Sequence, residues 1–459
     1  MLRLVRELRL TMRLLDPLFT TGRMREIFSD ANRLQRMLDF EAALARALAQ
    51  AGVAPAASAP AIQAQCHAKL YSHEALAKSA ALAGNLAIPL VKELTTLVAQ
   101  SDSAAAGFVH LGATSQDAID TGLVLQLREA FDDTAGKLAR VSAALQRLTI
   151  AHRESLLAGR TWLQQASPIT LGLKFASWLD AVERHRERLV ESRKRVEVLQ
   201  FGGAVGTLAA LGKDGPRVAQ ALASELKLAL PEIPWHAQRD RLAEVATTFG
   251  LLTGTLGKIA RDISLMSQTE IGELAEPSAP GRGGSSTLPH KRNPVGCGVI
   301  LAAAIRVPAL VSTMLAAMVQ EHERGLGGWH AEWETLPEIC MLTAGALAHS
   351  IQILDGLQIH QAALTGNLNA AHGLMMAECV AMVLAKKIGR AAAHELVERA
   401  SHQAIDTGKS FREVLLGDAE ISKNFSAADI DRSLDPKQYT GAAREMIDRV
   451  LAASNKTSS

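Results

Sequence analysis

Residues 242–266 read LAEVATTFGLLTGTLGKIARDISLM. Apolar side chains recur there at alternating spacings of three and four: Leu242, Val245, Phe249, Leu252, Leu256, Ile259, Ile263 and Met266. That spacing holds one stripe on one face of an α-helix and is the seam pattern of helices crossing at shallow angles. Two other stretches repeat it. One uses Val124, Leu127, Phe131, Leu138, Val141, Leu145 and Leu148, with Thr134 as its polar interruption. The other uses Leu171, Phe175, Trp178, Val182, Leu189, Val196 and Leu199, with His185 and Ser192 in two seam positions. A helix of roughly 28 residues is about 42 Å long, so these segments predict an elongated bundle. No segment reads as a convincing set of strands. The predicted fold class is all-α, with an N-terminal helical domain over 1–110, a central long-helix bundle over 111–360 and a C-terminal helical domain over 361–459. The polar tail Ser454–Ser459 is expected to be disordered.

Bulk properties narrow the function. At roughly 150 residues per domain, the 459 residues suggest two to four domains. A formal charge of +2 does not suit a surface built for nucleic acid or an acidic membrane, so any positive field is local. Cys66, Cys297, Cys340 and Cys379 are scattered without CxxC or zinc spacing and read as free thiols of a reducing compartment. The segment 295–320, VGCGVILAAAIRVPALVSTMLAAMVQ, is apolar nearly all round but broken by Arg306, with a bend expected at Pro308. Burial in the centre of a bundle, covered by further copies of the chain, fits it better than a membrane. The start, MLRLVRELRLTMRLLDPLF, lacks the apolar core of a secretory signal. It reads as a basic amphipathic targeting helix or as an over-long start ahead of Met12. The chain is expected to be cytoplasmic.

Chemistry concentrates in the loop 275–298, AEPSAPGRGGSSTLPHKRNPVGCG, where five glycines and four prolines break the helical pattern. Ser285, Ser286, His290, Lys291, Arg292 and Asn293 lie within it. Two hydroxyls, a cation pair and an amide suit a small anionic substrate, and loops of this length commonly bind or cover one. HLGATSQDAID at 110–120 adds a T-x-x-D capping box, Thr114 to Asp117, with hydroxyls at a helix start where a carboxylate is readily held. GRTWLQQASPIT at 159–170 places Thr and Gln just before a long helix. EHERGLGGWHAEWETLPE at 321–338 carries His322 and His330, but not at metal-site spacing. No metal or cofactor is expected.

Taken together these segments resemble the fumarase/aspartase superfamily, from about Asp16 onward. GSSTLPHKRNP looks like its signature loop, and TSQDAIDT and TWLQQASPIT sit where its other two active-site segments belong. The resemblance implies a homotetramer with a central helical bundle and active sites each assembled from three subunits. It implies β-elimination or its reverse. Departures separate the branches. Adenylosuccinate lyases carry His-Asp-Val where AGNLAIPLV stands here, with Asn85 and Ile88. They also carry serines and a second arginine where this chain has Gly327, Gly328 and Trp333. The lyases' histidine in the Thr-His-x-Gln segment is Trp162. An amine leaving group needs a general acid, whereas a carboxylate is stable as an anion and does not. The pattern is similar to the bacterial 3-carboxy-cis,cis-muconate cycloisomerases, which close a lactone with the substrate's own carboxylate.

The resemblance assigns proton transfer to Ser285, with Ser286 as the alternative, in a cationic setting supplied by Lys291 and His290. Lys291, Asn293, Thr114, Ser115, Thr161 and Gln164 are expected to hold the carboxylates of a tricarboxylate. Arg239 and Arg324 are candidate extra cations, each readable instead as a structural ion-pair partner, and Arg239 equally so. Trp162 is expected to wall the site or to pack in the core at a helix start. A sulfomuconate cycloisomerase, an adenylosuccinate-type lyase and a non-catalytic helical scaffold are the alternatives. The missing phosphate-site residues argue against the lyase, and the intact GSS, Lys291 and Asn293 against the scaffold.

Overall fold

The structure is a computed structural model that describes residues 13–279, 281–284, 287–288 and 290–456. The segment ahead of Met12 lies outside it. Six long helices dominate: α1 (Asp30–Gln50), α2 (Ser115–Ala151), α3 (Leu171–Val196), α4 (Asp240–Met266), α5 (Val295–Ala317) and α6 (Gly328–Asp355). Among the described residues the chain is all-α apart from four short strands. Every seam residue named above is buried, including the polar Thr134, His185 and Ser192. His185 meets its polar requirement through Nε2, 2.7 Å from Thr255 Oγ1.

Two compact units divide the chain. The first comprises the described parts of Met1–Leu138, His185–Gly257 and Val299–His349. Its α1 is capped by Ser29, whose hydroxyl accepts from the Asn32 amide, and α1 packs on helix Gly215–Leu226. Phe131 of α2 meets Phe249 of α4 with ring centroids 6.0 Å apart. Close approach of α4 and α5 depends on two glycines one heptad apart. A Cβ on Gly250 stands 2.9 Å from Val311 Cγ2, and one on Gly257 stands 2.6 Å from Ala304 Cβ. Gly257→Val is therefore expected to destabilise the fold by about 1–3 kcal/mol through overpacking, seen as a lower urea midpoint at unchanged slope.

The second unit comprises Ala139–Arg184, Lys258–Gly298 and the described part of Ser350–Ser459. Here the structure departs from expectation at 159–170. Instead of a lead-in to α3, that stretch is most of an antiparallel hairpin, β1 (Leu156–Thr161) paired with β2 (Gln164–Thr170). Its two-residue tip is Trp162 and Leu163, at φ 53° and 64°. Positive φ at both central residues is what a type I′ hairpin turn requires, and its usual sequence signal is Asn-Gly. Trp-Leu gives no such signal.

Toward the C-terminus, short helices enclose a core that includes Leu384, Val397, Phe411, Leu415, Ile421 and Ile430. Against the expectation of a disordered tail beginning at Ser454, helix Ala443–Lys456 runs on through a buried Ser454, and residues 457–459 lie outside the described residues. Helix α5 runs through Pro308 without ending there. By length and composition it could cross a membrane, and only 28% of its most apolar window is buried within the chain. The burial expected for it is therefore not supplied by the chain itself.

Candidate active site

In the first unit, Thr114 ends the loop that feeds α2. Its backbone N–H donates to Asp117 Oδ2 (2.9 Å), the reach-back half of the predicted capping box. The other half is replaced. Thr114 Oγ1 accepts from Arg324 Nη2 at 3.0 Å, and Arg324 Nη2 also donates to Ala204 O at 2.9 Å. Arg324 Nε is buried without a hydrogen-bond partner, and among the described residues the guanidinium has no carboxylate partner. Ser115 is the first residue of a 37-residue helix. Unpaired amides and the positive end of the helix macrodipole favour an anion there.

Beneath this surface lies a polar network that sequence reasoning largely missed. Asp117 is fully buried and accepts from Thr114 N, Gly202 N (3.0 Å) and Gly203 N (3.0 Å), with His236 Nε2 2.7 Å from its Oδ1. One carboxylate thus ties the start of α2 to the glycine turn and to the segment leading into α4. The T-x-x-D motif pointed to Asp117 as a cap, but nothing local marks the partners brought from 85 and 119 residues away.

Arg239, a candidate substrate cation, is 2% exposed and spent on protein carboxylates. It donates to Asp120 (2.6 and 3.1 Å) and to Glu332 Oε1 (2.9 Å). Trp329 Nε1 and Gln116 Nε2 complete Asp120. Burial pushes the Glu332 carboxyl above its usual range, against the pull of Arg239. Arg239 accordingly matches the structural ion-pair role and has no donor left for a ligand.

A second anchor steadies the same loop. His110 Nδ1 lies 2.6 Å from Glu41 Oε1. Burial alone opposes the imidazolium, but the Glu41 carboxylate beside it raises the His110 pKa on balance. A histidine raised on folding lends stability that is full below its unfolded value of about 6.5 and is lost as pH rises through the folded value. The stability advantage of the wild type over Glu41→Gln should therefore shrink between pH 6 and pH 9 in chemical denaturation. An advantage that grows with pH contradicts the pair.

In the second unit the predicted residues fall on two features. Thr161 and Gln164 face each other across the hairpin next to its tip. Trp162 is 97% exposed, so within this chain it neither packs at a helix start nor walls a pocket. The base of the hairpin is firm, because Arg160 donates to both oxygens of the buried Glu273 (2.9 and 2.7 Å). The loop carries His290, Lys291 and Asn293, and Ser285 and Ser286 lie outside the described residues. Asn293 N donates to Gly283 O at 2.8 Å and Lys291 N to Leu288 O at 3.1 Å.

Glu276, which sequence reasoning missed, fixes the exit of this loop. It accepts from Gly296 N, Cys297 N and Arg282 Nη2 (3.1, 2.7 and 3.0 Å), capping α5. Lys291 is exposed, and among the described residues its ammonium has no ion-pair partner. The structure thus gathers Thr114, Ser115 and Arg324 in one unit. It sets Thr161 and Gln164 on the hairpin, and His290, Lys291 and Asn293 in the loop, of the other.

Residues 19–309 match the family described as Lyase, and residues 373–450 match the one described as Adenylosuccinate lyase C-terminus. A 3-carboxy-cis,cis-muconate cycloisomerase of Pseudomonas aeruginosa is 56% identical over 439 residues, covering 96% of each chain. One from Pseudomonas putida is 53% identical over 92% of this chain and all of its own length. The crystal structure of 3-carboxy-cis,cis-muconate lactonizing enzyme from Pseudomonas putida superimposes with a TM-score of 0.93 at 51% identity. It covers 98% of this chain and 100% of that one.

Proposed function

Since the chain belongs to the lyase family of the fumarase/aspartase superfamily, we propose that it is a cycloisomerase closing 3-carboxy-cis,cis-muconate to a carboxymuconolactone in aromatic degradation. One substrate carboxylate adds across the conjugated double bond, forming the ring C–O bond. The neighbouring carboxylate takes up the electron pair as an aci-carboxylate, and a proton then reaches the α-carbon. Ser285, with Ser286 as the alternative, handles that proton. Lys291 and His290 provide its cationic setting, and Thr114, Ser115, Arg324, Thr161, Gln164, Lys291 and Asn293 hold the carboxylates. Because the nucleophile is already an anion, no general base is needed to generate it.

The observation that carries this reading is the uncompensated positive charge that each unit carries among its candidate site residues. Arg324 and Lys291 have no carboxylate partner among the described residues, whereas Arg239, Arg160 and Arg282 are each neutralised by one or more. Two uncompensated cations suit a tricarboxylate and a transition state in which negative charge builds on one carboxylate. The enzyme works as a homotetramer with shared active sites. Support comes from α5, whose apolar surface is left largely uncovered by the chain, including Ile305 at 74% exposure. Four buried free cysteines fit a cytoplasmic protein. Turnover in deuterium oxide tests the chemistry: the lactone should carry one deuterium, at the carbon α to the acceptor carboxylate. A product with no carbon-bound deuterium contradicts addition followed by protonation from an exchangeable group.

A further inference from the structure

Two adjoining hollows in the first unit share Arg33, Leu86 and Trp333. The inner one is small, about 60 Å³, and its walls include Met37, Ile119 and Leu123. The outer one, about 520 Å³, opens between α1 and helix His73–Ala83. Small-molecule sites have this size and character, an apolar lining with a few converging polar groups.

Both polar groups that the hollows share are donors. Trp333 stands edge-on to Trp329, with centroids 4.9 Å apart, and its Nε1 is buried with no hydrogen-bond partner. A buried donor left unpaired is destabilising, and an acceptor placed there removes the penalty. The Arg33 guanidinium donates to Trp333 O (3.1 Å) and to Glu334 Oε1 (3.3 Å). Glu334 is 83% exposed, so this ion pair is weak and readily exchanged for another carboxylate. Asp30 and His73 stand exposed at the outer rim.

We propose that this cleft is a binding site for a compact amphiphilic carboxylate, its head on Arg33 and the Trp333 N–H and its apolar body between Met37, Leu86 and Leu123. The proposal does not depend on the reaction assigned above, because none of these residues belongs to that machinery. Isothermal titration of the full-length protein with benzoate tests it, with benzyl alcohol as the neutral control. Benzoate should bind once per chain, and benzyl alcohol at least about tenfold more weakly. Arg33→Gln should weaken benzoate about tenfold, and Trp333→Phe, which keeps the aromatic wall, about fivefold. Lys291→Ala should leave it unchanged. Wild-type affinity in either cleft variant overturns the proposal. Loss of binding in Lys291→Ala overturns it as well, by placing the carboxylate at the loop. Should Arg33→Gln fail to fold by circular dichroism, Trp333→Phe alone decides.

Discussion

Replacing Lys291 with alanine should lower kcat on 3-carboxy-cis,cis-muconate by about 10²–10³-fold, the usual effect of losing one preorganised charge aimed at developing negative charge. The ammonium sits on a loop held at both sides, by the Gly283–Asn293 pairing and by the Glu276 cap on α5. Lys291 itself supports no packing and no ion pair among the described residues. The variant should therefore keep its oligomeric state and denaturation midpoint. Arginine should not restore full activity, because its planar fork delivers charge in a different geometry from a compact ammonium. Near-normal kcat in Lys291→Ala with an intact fold would remove this residue from the machinery.

The second large effect is on stability. Arg239→Met should cost about 3–5 kcal/mol, because it strands Asp120 and Glu332, each 1% exposed, without their shared cation. Burial raises the Glu332 carboxyl and Arg239 opposes that rise, so the substitution removes the group that favours its charged form. Methionine fills similar volume, so the loss reports the charges rather than a cavity. A variant that also replaces Glu332 by glutamine should recover part of it. Urea denaturation of the two variants measures both terms, and an Arg239→Met protein as stable as the wild type refutes the network's structural role.

The three seams show why the helices were legible. At Leu242 to Met266, Val124 to Leu148 and Leu171 to Leu199, side chains repeat every 3.5 residues for several turns, and each such position is buried. Periodicity of that length has few competing explanations. The hairpin was not legible, because its turn sets Trp162 and Leu163 at positive φ, where sequence preference favours Asn-Gly. The candidate site divides in the same way. Thr114, Lys291 and Asn293 belong to local motifs whose residue types announce anion binding. Asp117, His236 and Glu276 act through partners distant in sequence or through backbone amides, and only the fold brings these together. Arg239 looked like Arg324 in sequence. The carboxylates around the first, and their absence among the described residues around the second, are tertiary facts.

The most direct test of the central claim follows the ultraviolet absorbance of 3-carboxy-cis,cis-muconate with the purified protein, metal-free, beside adenylosuccinate. The expected result is rapid loss of the conjugated-diene absorbance with a lactone as product, and no change in adenylosuccinate. A muconate spectrum that stays constant under conditions where the protein is folded would contradict the proposed function.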